Sequence, residues 1–113
     1  MSDTMNLRTE IRSVAIVGAG AIGGWLGTRL ARSGRPVSAL ARGDTLAALR
    51  AHGLRLQQGG ELLQAPVRAS ERADELGAHD LVILAVKAPA LPGIAPAIGP
   101  LIGPGTVVLT AMN

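Results

Sequence analysis

Apolar residues along the 113-residue chain follow two alternating rhythms. Ser13–Val17 (SVAIV) is a short, nearly unbroken β-favouring run, as expected of a strand buried on both faces, and Gly18 ends it. From Ala21 to Ser33, Ile22, Leu26 and Leu30 recur every four positions with Arg29 and Arg32 turned elsewhere, which predicts a helix. Gly34 stops that helix as a left-handed cap, and Pro36 prevents its resumption. Val37–Ala41 (VSALA) predicts a second strand. Asp44 is expected to N-cap a short helix over Thr45–His52, ended by Gly53.

The second half is less regular. Leu54–Gln57 and Glu61–Ala65 flank Gly59-Gly60, which predicts a small hairpin. A weak helix is expected within Ser70–Leu76. Asp80–Val86 has the strongest strand pattern in the chain, and Thr106–Thr110 is another strand. Between them, APALPGIAPAIGPLIGPG combines helical apolar spacing with several prolines. That predicts a short or broken crossover helix over Leu91–Ile102, closed by a Gly103-Pro104-Gly105 turn. Strand and helix in alternation imply right-handed crossovers and parallel pairing. The expected fold is α/β, a Rossmann-type doubly wound, mainly parallel sheet over residues 13–113, after a flexible tail at 1–12.

Composition narrows the chemistry. Mean hydropathy is +0.34 and 48% of residues are hydrophobic, enough for one packed core. Of the eleven basic residues only Lys87 is a lysine, and the arginines are scattered rather than clustered. With Trp25 the sole aromatic, the chain lacks stacking platforms as well as a basic stripe, and nucleic-acid binding is not expected. The absence of cysteine removes disulfides, thiolate zinc sites and a cysteine nucleophile, and no metal is expected. MSDTMNLRTEIR has no apolar core of signal-peptide length, and DLVILAV is too short to cross a bilayer, so a cytoplasmic protein without membrane contact is expected.

Gly18-Ala19-Gly20-Ala21-Ile22-Gly23 has the form GxGxxG, a weak pattern alone in a chain with 15 glycines. Its context gives it meaning: it follows a buried strand and opens a helix. Gly18 then permits the tight turn, Gly20 lets a pyrophosphate meet bare backbone, and Gly23 lets the helix pack closely on the strand. The free N–H groups at the helix start hold the phosphate charge. A strand-to-helix turn without ligand is the bland alternative. The cofactor type is read at the end of the second strand, where NAD-binding domains usually place an acid. Here Arg42 stands there, a guanidinium fork suited to a 2′-phosphate, which favours NADP. Asp44 is the competing residue for NAD, although its position suits an N-cap.

Polar groups collect at other strand ends. Lys87 follows Val86, and Asn113 follows the last strand closely. His52 sits at a helix end and His79 at the wrong end of its strand, so neither is a candidate catalyst. Trp25 reads as packing or interface.

GAGAIGGWLGTRLARSG, VSALARGDTLAALRAHGLRL, HDLVILAVKA and TVVLTAMN together resemble the N-terminal domain of ketopantoate reductases (2-dehydropantoate 2-reductases), over about Val14 to Asn113. The resemblance implies NADPH-dependent reduction of ketopantoate to pantoate, on the route to pantothenate and coenzyme A. It further implies that Gly18–Gly23 cradle the pyrophosphate, Arg42 holds the 2′-phosphate and Lys87 lies near the nicotinamide. Asn113 matches an asparagine that contacts cofactor and substrate. No catalytic residue is expected in this chain: in the family a second, mainly helical domain supplies the general-acid lysine and the grip on the 2-keto acid. That domain is expected to be missing here, any homodimer is expected to form through it, and the 113 residues alone are expected to bind cofactor without turnover. Two alternatives stand beside this: a reductase of another 2-keto acid with the same cofactor half, and a non-catalytic nucleotide-sensing Rossmann module.

Overall fold

The computed structural model describes residues 11–18, 21–85 and 95–110, with the side chains of residues 21–23 and 95 excepted. Strand β1 (Val14–Val17) leads into helix α1 (Ala21–Arg32), then β2 (Val37–Leu40) and α2 (Gly43–His52). A hairpin of β3 (Leu54–Gln58) and β4 (Glu61–Ala65) follows, then β5 (Arg68–Ser70), the single-turn α3 (Ala73–Leu76) and β6 (His79–Leu84). A 3₁₀ segment (Ala95–Leu101) and β7 (Ile102–Thr110) complete the described chain. Among the described residues no helix is long and apolar enough to cross a membrane.

Five strands form one sheet in the order β5-β2-β1-β6-β7, all parallel, and the hairpin stands apart as its own two-stranded sheet. β1 lies at the centre, with Ile16 opposite Ala39 on one side and Ile83 on the other. All four of its residues are buried, so each face needs a cover. Val14, Ile16, Val37, Ala39 and Ile83 form one apolar layer with Leu49 of α2 and Leu54 of β3, joined by Leu26 and Leu30 of α1. Ala15, Val17, Val82 and Leu84 form the other, under Ala73 and Leu76 of α3 and Ile98 and Leu101 of the 3₁₀ segment. Helices on both faces of a parallel sheet make the doubly wound α/β architecture that the alternation implies. Each fully buried Ile, Leu or Val in these layers contributes roughly 1.5–3 kcal/mol.

Several details depart from the sequence pattern. β5 has only three residues, too few for an alternation to register, yet Ser38, Ala39 and Leu40 pair with Arg68, Ala69 and Ser70. Asp44 is not the N-cap of α2. The helix begins at Gly43 with Arg42 in the cap position, which places Asp44 inside the first turn. The proline-interrupted crossover is 3₁₀ over Ala95–Leu101, and residues 91–94 of the helix expected there lie outside the described residues. The Gly103-Pro104-Gly105 segment is a bulge within β7: Ile102 pairs with His79 and Val107 with Leu81, so the residues between loop outward. Residues 1–10 of the expected tail lie outside the described residues, whereas Ile11 accepts a bond from the Arg35 side chain at 3.2 Å.

Two layers approach closely at Gly27. A β-carbon there would lie 2.3 Å from Cδ1 of Ile16 and 3.3 Å from Cδ1 of Leu54. The sequence assigned close helix–strand packing to Gly23, whose side-chain position is not among those described. Gly27 stands one helical turn further along, on the same face. Gly27→Ala would gain about 1 kcal/mol of helix propensity, but displacing the fully buried Ile16 costs roughly 1–3 kcal/mol. The expected outcome is a lower urea midpoint for Gly27→Ala, partly recovered by adding Ile16→Val. An unchanged midpoint in the single variant would show slack between helix and sheet.

Candidate functional site

Open parallel sheets bind ligands beyond their carboxyl edge, at the point where the strand order reverses. Here that point lies between β1 and β6, because the chain runs from β1 to β2 and β5 on one side before returning to β6 on the other. Val17 is level with Leu40 and Leu84, so the three central strands end together. The amide of Gly18 donates to the Leu40 carbonyl at 3.2 Å and that of Ala85 to the Val17 carbonyl at 2.9 Å. These bonds tie the loops that leave the edge to one another.

Gly18 turns the chain out of β1 with φ +83°, a conformation that side chains with a β-carbon rarely adopt. α1 begins at Ala21, and its first N–H groups have no partners within the helix. Its first turn carries no acid, while Arg29 and Arg32 lie in its last turn. Both features suit the helix dipole and leave the N-terminal end free to attract an anion. Of the expected loop residues, Ala19 and Gly20 lie outside the described residues, and Ala21, Ile22 and Gly23 form the first turn of α1.

Arg42 stands at the corresponding end of β2. Its backbone is extended (φ −151°, ψ 170°), it makes no side-chain cap bond to α2, and its exposed guanidinium has no partner among the described residues. Asp44, in the first turn of α2, forms no ion pair with it there; among the described residues the one ion pair is Arg72–Asp74. Free helix N–H groups and an uncommitted guanidinium form a donor set for phosphate oxygens, which fits a dinucleotide. Lys87 and Asn113 lie outside the described residues.

Trp25 is 43% exposed on α1, with the Arg29 guanidinium 5.2 Å above its ring, and Arg29 donates to Oε1 of Gln58 at 2.8 Å. The Arg29 bond joins α1 to the hairpin, while the Trp25 ring lies on the surface. His52 is an exposed residue in the last turn of α2.

The amino edge of the sheet is occupied differently. His79 opens β6 there and is buried, with Nδ1 2.8 Å from the Gly77 carbonyl and Nε2 2.9 Å from the Ser38 hydroxyl. The Thr106 hydroxyl donates to the His79 carbonyl at 2.7 Å. The Asp80 carboxylate accepts the amides of Arg12 (2.8 Å) and Ser13 (3.2 Å), while the Asp80 amide donates to Ser13 Oγ at 3.1 Å. Among the described residues these groups are bonded to one another or to backbone at this edge.

One feature of the carboxyl edge escaped the sequence pattern. β5 places Ser70 and the turn after it beside Arg42, through the bond from the Ala41 amide to the Ser70 carbonyl at 3.0 Å.

A five-stranded parallel sheet in this order, with a glycine turn and a helix start at its reversal point, defines a doubly wound α/β domain of Rossmann type. The chain belongs to the ketopantoate reductase PanE/ApbA family, an oxidoreductase family whose profile matches residues 14–113. It is 50% identical over 101 residues to a 2-dehydropantoate 2-reductase of Mesorhizobium japonicum, covering 88% of this chain and 31% of that protein. A crystal structure from Ralstonia solanacearum MolK2, assigned as a ketopantoate reductase, is 55% identical with TM-score 0.87, covering 91% of this chain and 32% of the other. The ternary structure of D-mandelate dehydrogenase with NADH and anilino(oxo)acetate is 33% identical with TM-score 0.77, covering 89% and 33% respectively. The chain thus spans about a third of the length of these relatives.

The amides of Arg12 and, next, Ser13 hold the Asp80 carboxyl below its ordinary value, against the opposing effect of burial. A lowered folded-state pKa stabilises above the unfolded value of about 3.9, and the contribution is lost as pH falls through the lowered value. Asp80→Ala is therefore expected to flatten the acid limb of a urea-midpoint profile below about pH 4. Parallel profiles for variant and parent would mean that the carboxylate adds nothing.

Proposed function

We propose that this chain is the NADP-binding part of a 2-dehydropantoate 2-reductase. The reaction is hydride transfer from NADPH to the C2 ketone of ketopantoate, giving pantoate for pantothenate and coenzyme A synthesis in the cytoplasm. The observation that carries the reading is Arg42: an extended, exposed arginine with no side-chain partner among the described residues, at the carboxyl end of the strand beside the Gly18 turn. Membership of the ketopantoate reductase family supports the reaction class.

The nicotinamide supplies the hydride when bound; this chain's residues bind and orient. Gly18 and the start of α1 receive the pyrophosphate on backbone N–H groups. Arg42 receives the 2′-phosphate on the planar donor fork of its guanidinium. By resemblance, Lys87 serves the nicotinamide end and Asn113 contacts both cofactor and keto acid. Residues 13–113 form the binding unit. The proton for the new alcohol comes from a lysine outside these 113 residues, so the chain alone binds cofactor without turnover.

A second reading keeps the cofactor half and changes the keto acid. It is favoured by D-mandelate dehydrogenase, which shares this half at 33% identity and was solved with NADH and anilino(oxo)acetate. That structure also makes the choice between NADPH and NADH the point to test. With Trp25 fluorescence as the signal, NADPH is expected to bind more tightly than NADH. Arg42→Ala removes a charge-assisted contact worth about 1.5–3 kcal/mol, so NADPH affinity should fall roughly tenfold to 150-fold while NADH affinity stays unchanged. Equal losses for both would make Arg42 structural and remove the NADP assignment.

A further inference from the structure

The turn from β2 into α2 comes directly after Arg42. β2 ends level with β1, Leu40 opposite Val17, and the Ala41 amide still donates to the Ser70 carbonyl of β5 at 3.0 Å. Arg42 continues the line in extended backbone (φ −151°, ψ 170°), whereas β1 has already turned away at Gly18, the residue after Val17. The arginine thus stands one residue beyond the Gly18 turn, about 3.3 Å of strand.

The change of direction is made at a single position. Gly43 has φ +65°, and α2 follows from it, anchored by the buried Leu46 and Leu49. A β-carbon on Gly43 would have nothing within 4 Å, so space does not call for glycine there. The backbone does, because a left-handed φ crowds a β-carbon against the following carbonyl. With a side chain at position 43 negative φ is favoured, and the turn must be made elsewhere. Ala41 is held by its bond to Ser70 and Asp44 by its place in α2, so Arg42 is the residue left to rotate. Rotation would carry its guanidinium off the line of β2 and away from the edge beside Gly18.

We propose that Gly43 is a positioning residue for NADP: its left-handed turn keeps Arg42 extended past the sheet edge, where the fork meets the 2′-phosphate. The inference rests on the NADP reading and adds to it how the arginine is held, by backbone conformation rather than by a side-chain cap bond.

The test is calorimetric titration of the chain with 2′,5′-ADP and with 5′-ADP, which lacks the 2′-phosphate. Gly43→Ala relaxes in the free chain, and binding must restore the left-handed turn. Affinity for 2′,5′-ADP should therefore fall roughly fivefold to thirtyfold, while affinity for 5′-ADP is unchanged. Asn tolerates left-handed backbone, so Gly43→Asn should stay close to the parent. Added to Arg42→Ala, Gly43→Ala should cost nothing further, because it acts through that arginine. Equal losses for both ligands, no loss for either, equal losses for the Ala and Asn variants, or a full additional loss in the double variant would overturn the inference. The NADP reading would stand in each of those cases as long as Arg42→Ala removes the preference for 2′,5′-ADP. A parent chain that binds the two ligands equally, or an Arg42→Ala chain that still separates them as the parent does, would overturn both together.

Discussion

The arrangement depends on how closely α1 can lie against β1. β1 is the central strand, buried on both faces, and Ile16 projects from it toward the helix. Gly27 offers no side chain at the crossing, so Ile16 and Leu54 fill the space that a β-carbon would need. A bulkier residue would lift the helix and carry its N-terminal end away from the sheet edge. The anion-attracting end of α1 is thus set by an apolar contact two helical turns away. The same contact brings Leu54 into the core and seats the hairpin beside α1.

The two edges of the sheet differ in how their polar groups are satisfied. At the amino edge, His79, Ser38, Thr106, Asp80 and Ser13 bond to one another or to nearby backbone. Those groups secure strand ends and have little left to offer a ligand. At the carboxyl edge, the α1 start and Arg42 have donors without partners among the described residues. Polar groups satisfied within the protein serve the fold, whereas donors left open on one rim mark where an external anion completes the bonding.

Much of this was legible in the sequence, for physical reasons that also explain the rest. Val14–Val17 and the four-residue spacing of Ile22, Leu26 and Leu30 are strong periodic signals, and Gly59-Gly60 marks a hairpin by turn chemistry alone. Arg42 was identifiable because its place depends only on the end of one strand. β5 was not: three residues carry no rhythm, and their strand character comes from pairing with β2. The helix start at Gly43 and the bulge around Gly103-Pro104-Gly105 depend on backbone geometry that residue preferences describe poorly. Assigning the close contact to Gly23 followed the motif, whereas Gly27 is identified by the side chains of Ile16 and Leu54 across the interface. Lys87 and Asn113 rest on resemblance, since both lie outside the described residues.

The most direct test of the central claim, that the carboxyl edge holds NADP, is a residue-resolved ¹⁵N NMR titration of the chain with NADPH. The account predicts that the perturbed amides concentrate at Gly18–Gly23 and Ala41–Gly43, with the amino-edge amides of His79 and Asp80 unmoved. Perturbations centred elsewhere, or none in a folded chain at saturating NADPH, would contradict it.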